Sequence, residues 1–224
     1  MRLAEIELRI EQACRKAGRK RDEVALLGVS KTRSSAEIRE LYEAGLTRFG
    51  ENYVTEAIEK LDQLTDIDPQ WHFIGPIQSN KTRTLAQRFD WVQSVDRAKI
   101  VRRLGEQRGP EQAALNVLIQ VNIDREEQKS GCDPGQVDQL AEAIADQPTL
   151  CLRGLMAIPS ADDTGSGTRE AFARVQRIFE SLKGTHCAVD TLSMGMSGDL
   201  EDAIAEGSTM VRIGTALFGP RNER

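Results

Sequence analysis

From Val24 onward the chain keeps changing its period, and that alternation restricts the fold more than any other feature. Short apolar runs rich in branched residues are followed, again and again, by stretches whose apolar residues fall three and four apart. "VALLGVS" (24–30) reads as a strand buried on both faces, and "SSAEIRELYEAG" (34–45) as a helix that serines cap and a glycine stops. Further strands are predicted at "TRFGEN" (47–52), "WHFIGP" (71–76), "WVQSV" (91–95), "LNVLIQVN" (115–122), "CLRGLMAIP" (151–159), "TLSMGM" (191–196) and "MVRIGTALFG" (210–219). Helices are predicted between them over about 53–64, 80–89, 97–107, 134–145, 169–182 and 199–206. About eight strands alternating with helices within 224 residues predict an α/β protein, a (β/α)8 (TIM) barrel forming one domain over 1–224. A doubly wound open sheet would carry a G-x-G-x-x-G turn after its first strand, where this chain reads "VSKTRSS".

Leu3, Ile6, Ile10 and Ala13 recur at helical spacing, so an extra N-terminal helix precedes the first strand. Only "PRNER" remains after the predicted eighth strand, and the N-terminal helix is expected to cover the place where a final barrel helix packs. "SADDTGSGT" (160–168) reads as a mobile loop after the sixth strand.

A net charge of -5 leaves no electrostatic footprint for nucleic acid. No apolar run approaches the roughly 18 residues of a membrane span, and the N-terminus lacks the apolar core of a signal peptide, so a soluble cytoplasmic protein is expected. Cys14, Cys132, Cys151 and Cys187 stand far apart without a C-x-x-C pair, which disfavours structural zinc and a redox dithiol and fits reduced thiols.

A barrel of this type builds its active face from the C-terminal ends of its strands. Lys31 closes the first strand, Asn52 the second, and His72 lies within the third. Met194, Met196 and Ser197 end the seventh, while Arg212, Gly214 and Thr215 lie along the eighth. A lysine at a strand end ordinarily snorkels to water. A lysine held against apolar walls is destabilised as a cation and becomes an amine nucleophile toward aldehydes, so a barrel-mouth lysine points to a Schiff base. Ser197 and Gly198 either cap the following helix or offer backbone N–H groups to an anion. Gly214 and Thr215 add a close backbone approach and a hydroxyl, and barrels often bind phosphate between the loops of their last two strands. Arg212 inside an apolar strand needs a partner, for which a salt bridge to a neighbouring strand is one candidate. His72, between Trp71 and Phe73, reads as a packed, hydrogen-bonded side chain, and His186 as a surface one. Lys81 and Arg83 in "QSNKTR" belong either to a solvated helix start or to the pocket mouth.

Taken together, "LLGVSKTR", "RFGENYVTEA", "WHFIGPIQSNKTR", "GLMAIP" and "LSMGMSGDLEDAIAEGSTMVRIGTALFG" resemble the pyridoxal-phosphate homeostasis protein family, itself similar to the N-terminal barrel domain of alanine racemase. The resemblance runs from about Leu3 to Arg221. It implies that Lys31 carries pyridoxal 5'-phosphate as an internal aldimine, that Ser197, Gly214 and Thr215 hold the phosphate, and that Arg212 faces the pyridine nitrogen. Asn52 matches a residue near the ring, and Met194 and Met196 supply packing or backbone contacts. Pro76 departs from many relatives, which have another residue after "FIG".

Cofactor binding leaves the chemistry open. In alanine racemase one acid-base group is a tyrosine from a separate C-terminal domain, which this chain lacks; its tyrosines, Tyr42 and Tyr53, are placed on helices around the barrel. An arginine facing the ring nitrogen keeps its proton and weakens the ring as an electron sink. The resemblance therefore implies a carrier that hands the cofactor to pyridoxal-phosphate-dependent apo-enzymes, without robust catalysis, and without that dimer-forming domain a monomer is the simplest expectation. A weak racemase-like enzyme and a cofactor-free Schiff-base aldolase acting through Lys31 are the alternatives.

Overall fold

A computed structural model of the protein describes residues 2–126, 128–160 and 166–220. Eight parallel strands close into a barrel in sequential order: β1 (Ala25–Val29), β2 (Arg48–Glu51), β3 (Gln70–Phe73), β4 (Trp91–Val95), β5 (Leu115–Val121), β6 (Leu150–Ala157), β7 (Thr191–Ser193) and β8 (Met210–Ile213). Helices α1 (Arg2–Lys16), α2 (Ser35–Glu43), α3 (Val54–Gln63), α4 (Thr82–Arg88), α5 (Ala98–Gln107), α6 (Val137–Ala145), α7 (Ser166–Thr185), α8 (Leu200–Ala205) and α9 (Thr215–Phe218) alternate with them. The predicted barrel, with its extra N-terminal helix, is the observed one. β1 pairs with β8 from Ala25↔Met210 to Gly28↔Ile213, and with β2 at Gly28↔Phe49 and Val29↔Gly50. No helix among the described residues is long and apolar enough to cross a membrane.

Helix boundaries follow local chemistry. Ser34 caps α2 by accepting from the Glu37 N–H while the Glu37 carboxylate accepts from the Ser34 N–H, a reciprocal capping box. Several strands are shorter than the sequence predicts. β7 stops at Ser193 because the chain bends at Gly195, whose φ of 95° lies in the left-handed region. β8 stops at Ile213, and "TALF" folds into α9. Gly214 therefore stands in the turn after the eighth strand and Thr215 opens α9, rather than lying along the strand. The helix predicted from Arg169 begins at Ser166. The expected mobile loop falls largely on 161–165, which lie outside the described residues; Ser160 before them is held by its N–H donating to Asp124 at 2.7 Å.

α1 buries Leu3, Ile6, Ile10, Ala13 and Cys14 against the barrel's last units. Arg9 on its outer edge reaches the Ser197 carbonyl at 2.7 Å and the Glu201 carboxylate through two nitrogens, while Arg19 donates to the carbonyls of Ile204 and Ser208. The N-terminal helix thus occupies the expected place, over α8. Ile10 is fully buried, so Ile10→Ala should cost about 2–4 kcal/mol in urea denaturation, the cost of a core cavity.

Candidate functional site: the mouth of the barrel

Four turns meet at the C-terminal ends of β1, β2, β7 and β8. Lys31 lies two residues beyond β1 and is half-buried. Its amine makes no hydrogen bond or ion pair among the described residues, although its neighbours are all fastened. The carbonyl of Val29 lies 3.6 Å from where a Cβ on Gly214 would stand, which sets the turn after β8 against the end of β1.

Asn52 follows β2. Its Oδ1 is buried and has no hydrogen-bond partner, an unsatisfied acceptor of the kind folded proteins rarely keep without a use. Gly75 keeps it in place: a Cβ there would lie 2.1 Å from the Asn52 carbonyl oxygen, so only glycine lets the two turns approach so closely.

The turns after β7 and β8 are adjacent through Ser193↔Met210, extended by the Met194 N–H donating to the Met210 carbonyl and the Arg212 N–H to the Gly195 carbonyl. Within them the backbone N–H groups of Ser197, Gly198, Thr215 and Ala216 donate to no carbonyl among the described residues, and the hydroxyls of Ser197 and Thr215 have no partner. Six donors therefore face solvent or a ligand. Ser197 is not the cap of α8: Asp199 occupies that position, its carboxylate taking the Met196 N–H. Met194 is fully buried in the core and supports the turn from below, whereas Met196 is exposed.

Arg212 is 4% exposed and has no carboxylate within ion-pair distance among the described residues, so the salt bridge that was one candidate for it is not formed there. Its guanidinium donates instead to the Ser193 carbonyl (2.7 Å), the Ser193 hydroxyl (2.9 Å) and the Ala157 carbonyl (2.9 Å). Burial pulls its pKa below the ordinary guanidinium value, to about 10, which still leaves a cation at neutral pH.

Because a guanidinium only donates, it orders what lies beneath it. The Ser193 hydroxyl, accepting from Arg212, donates to Gln93 Oε1 at 2.7 Å; Gln93 Nε2 then donates to His72 Nδ1 at 2.9 Å; His72 Nε2 is left to donate to Gln70 Oε1 at 3.1 Å. One directed chain runs through the barrel interior from Arg212 to Gln70. His72 is stacked on Trp91 with ring centroids 5.1 Å apart, as the packed side chain predicted for it. Sequence reading missed Ser193 and Gln93, although a glutamine and a serine inside otherwise apolar strands are the signal that could have found them. His186 is half-exposed after α7, and Lys81 lines a groove between α3 and α4.

A closed parallel barrel with a free lysine at its mouth and a donor-rich pair of turns beside it is the architecture of the alanine racemase N-terminal domain class, and the family described by that name matches residues 2–222. Among curated relatives, the pyridoxal phosphate homeostasis protein of Haemophilus influenzae is 52% identical over 221 residues, covering 97% of this chain and 93% of the relative. That of Pseudomonas aeruginosa is 52% identical over 220 residues, covering 98% and 94%. PipY of Synechococcus elongatus, solved with pyridoxal phosphate bound, superposes with a TM-score of 0.79 at 35% identity, covering 94% of this chain and 100% of that one. The chain belongs to the pyridoxal phosphate homeostasis protein family.

Burial holds the His72 pKa well below 6.5, so as pH falls the unfolded chain takes up its proton and the folded chain does not. Folding stability should therefore decline below pH 6.5, by up to about 1.4 kcal/mol per pH unit from this residue. Urea denaturation between pH 6.5 and 5 should show that slope in the wild type and a shallower one in His72→Gln; equal slopes would contradict the assignment.

Proposed function

We propose that this chain binds pyridoxal 5'-phosphate at the barrel mouth, with Lys31 taking the aldehyde, and that it acts as a cofactor holder in vitamin B6 and amino-acid homeostasis without robust catalysis. The observation that carries this reading is the unpartnered Lys31 amine beside two turns with unpaired N–H and hydroxyl donors. The named function of relatives at about half identity supports it.

The residues present fit the group. Ser197, Gly198, Thr215 and Ala216 supply N–H groups and hydroxyls suited to phosphate oxygens, and Gly214 permits close approach. The orphaned Asn52 Oδ1 offers an acceptor at the β2 end, and Arg212 a cation held from below. When bound, the cofactor supplies an electrophilic aldehyde and an electron-withdrawing ring. Lys31 would hold that aldehyde through its amine, which makes no hydrogen bond or ion pair among the described residues. Arg212 keeps its proton at neutral pH, so a ring nitrogen held against it would stay unprotonated and the ring would be a poor sink for a carbanion. Binding without turnover follows.

Handing the cofactor to apo-enzymes in the cytoplasm is the role we assign to the monomer. The four free cysteines fit a reducing compartment. One observation favours a second reading, slow racemase-like proton chemistry. Tyr53 is not on a helix around the barrel, as the sequence predicts, but precedes α3 in the turn after Asn52, 56% exposed on the mouth side. The cofactor-free aldolase has no comparable support.

Titration with pyridoxal phosphate should give a visible absorption band in the wild type and none in Lys31→Ala, while Thr215→Ala should weaken binding by about tenfold, the loss of one charge-assisted hydrogen bond. Loaded protein in deuterated buffer should leave the α-protons of single amino-acid enantiomers unexchanged. Rapid exchange, lost in Tyr53→Phe, would establish the second reading instead.

A further inference from the structure

The turn that carries Lys31 is fastened from below by a buried ion cluster that none of the site residues above includes. Glu51, the last residue of β2, is fully buried and faces α3. Its Oε1 accepts from the Ser30 hydroxyl at 2.6 Å and from Lys60 Nζ at 2.7 Å. Lys60, only 5% exposed, also donates to the Ser30 carbonyl at 2.7 Å and to Glu56 Oε1 at 2.5 Å. Glu56 in turn accepts the backbone N–H of Thr32. On the far side Arg33 is tied to the carbonyls of Gly219 and Pro220 and lies 5.6 Å from the Phe218 ring centroid. Ser30, the Thr32 backbone and Arg33 are therefore each held, and the Lys31 amine between them is left without a partner among the described residues.

Two costs are built into this arrangement. Thr32 has φ 63°, the left-handed region that a β-branched residue adopts only when its surroundings impose it. Glu51 leaves Oε2 buried without a partner, and burial raises its pKa against the pull of Lys60. A buried ion pair is a poor route to stability, since well-packed apolar residues of the same size do as well or better. Strain and charge are concentrated on one turn, and that turn holds the residue whose amine must meet a ligand in fixed geometry.

We propose that Glu51, Lys60 and Glu56 form a positioning clamp that holds the Ser30–Thr32 turn, with Thr32 in the left-handed region, and so presents the Lys31 amine to the mouth. Lys60 bridges the two carboxylates and the Ser30 carbonyl. Glu56 fixes Thr32, and Glu51 fixes the Ser30 hydroxyl. None of the three touches the ligand. The proposal rests on the reading of Lys31 as the amine that takes the pyridoxal phosphate aldehyde.

The experiment compares wild type with Glu56→Ala and Glu56→Gln, since glutamine keeps an oxygen for the Thr32 N–H and the Lys60 ammonium. Three quantities are read: the rate at which the visible band forms, the affinity for pyridoxine 5'-phosphate, which has no aldehyde, and the thermal midpoint without cofactor. Glu56→Ala should form the band about tenfold more slowly, while its affinity for the alcohol analogue stays within about twofold, and Glu56→Gln should recover most of the rate. Ser30→Ala, which removes a single hydroxyl, should slow the band by about threefold and serves if the first variant does not fold. A wild-type rate in Glu56→Ala, a parallel loss of analogue affinity, or no recovery in Glu56→Gln would overturn the clamp. A wild-type protein that forms no band would overturn the lysine reading itself, an outcome distinct from any of these.

Discussion

The pairing of β1 with β8 joins the start of the barrel to its end, and the mouth exists because of it. Four consecutive partners, Ala25↔Met210 to Gly28↔Ile213, fix the register. A slip of one residue would turn Arg212 from the barrel interior toward the helices and carry Gly214 away from Val29. With the register held, a lysine from one end of the chain stands beside turns contributed by the other. The N-terminal helix reinforces the closure, because Arg9 ties α1 to the Ser197 carbonyl and to α8.

Arg212 shows how the interior serves the mouth. A fully buried cation without a carboxylate is costly, and here two backbone carbonyls and a hydroxyl accept its protons. An acidic partner would draw the guanidinium toward itself; neutral acceptors hold it in place and leave its charge available above. The directed chain through Ser193, Gln93 and His72 polarises in one sense and excludes a protonated His72, since the imidazole must accept at Nδ1. Arg212 is thus held from beneath by the barrel interior, and the turn that carries Lys31 by the layer between barrel and α3.

The barrel was legible in the sequence because strands buried on both faces and amphipathic helices have different periods, and eight repeats leave few other architectures. Strand ends were less legible: "MVRIGTALFG" is apolar throughout, and only the backbone at Gly214 divides strand from helix. Lys31, Asn52, Ser197, Arg212, Gly214 and Thr215 stood out as polar or small residues at strand ends. What supports them did not. Glu51 and Lys60 look like ordinary surface charges until the fold buries them, and the Arg9–Ser197 contact spans nearly the whole chain. Tyr53 was misplaced because α3 starts one residue later than its apolar spacing implies.

The account turns on one amine. Reducing the cofactor-loaded protein with borohydride and mapping its peptides by mass spectrometry locates the covalent attachment directly. The added mass should appear on the peptide containing Lys31 and on no other. Label on Lys60, Lys81 or Lys129 in its place, or a protein that reduces without any label, would contradict it.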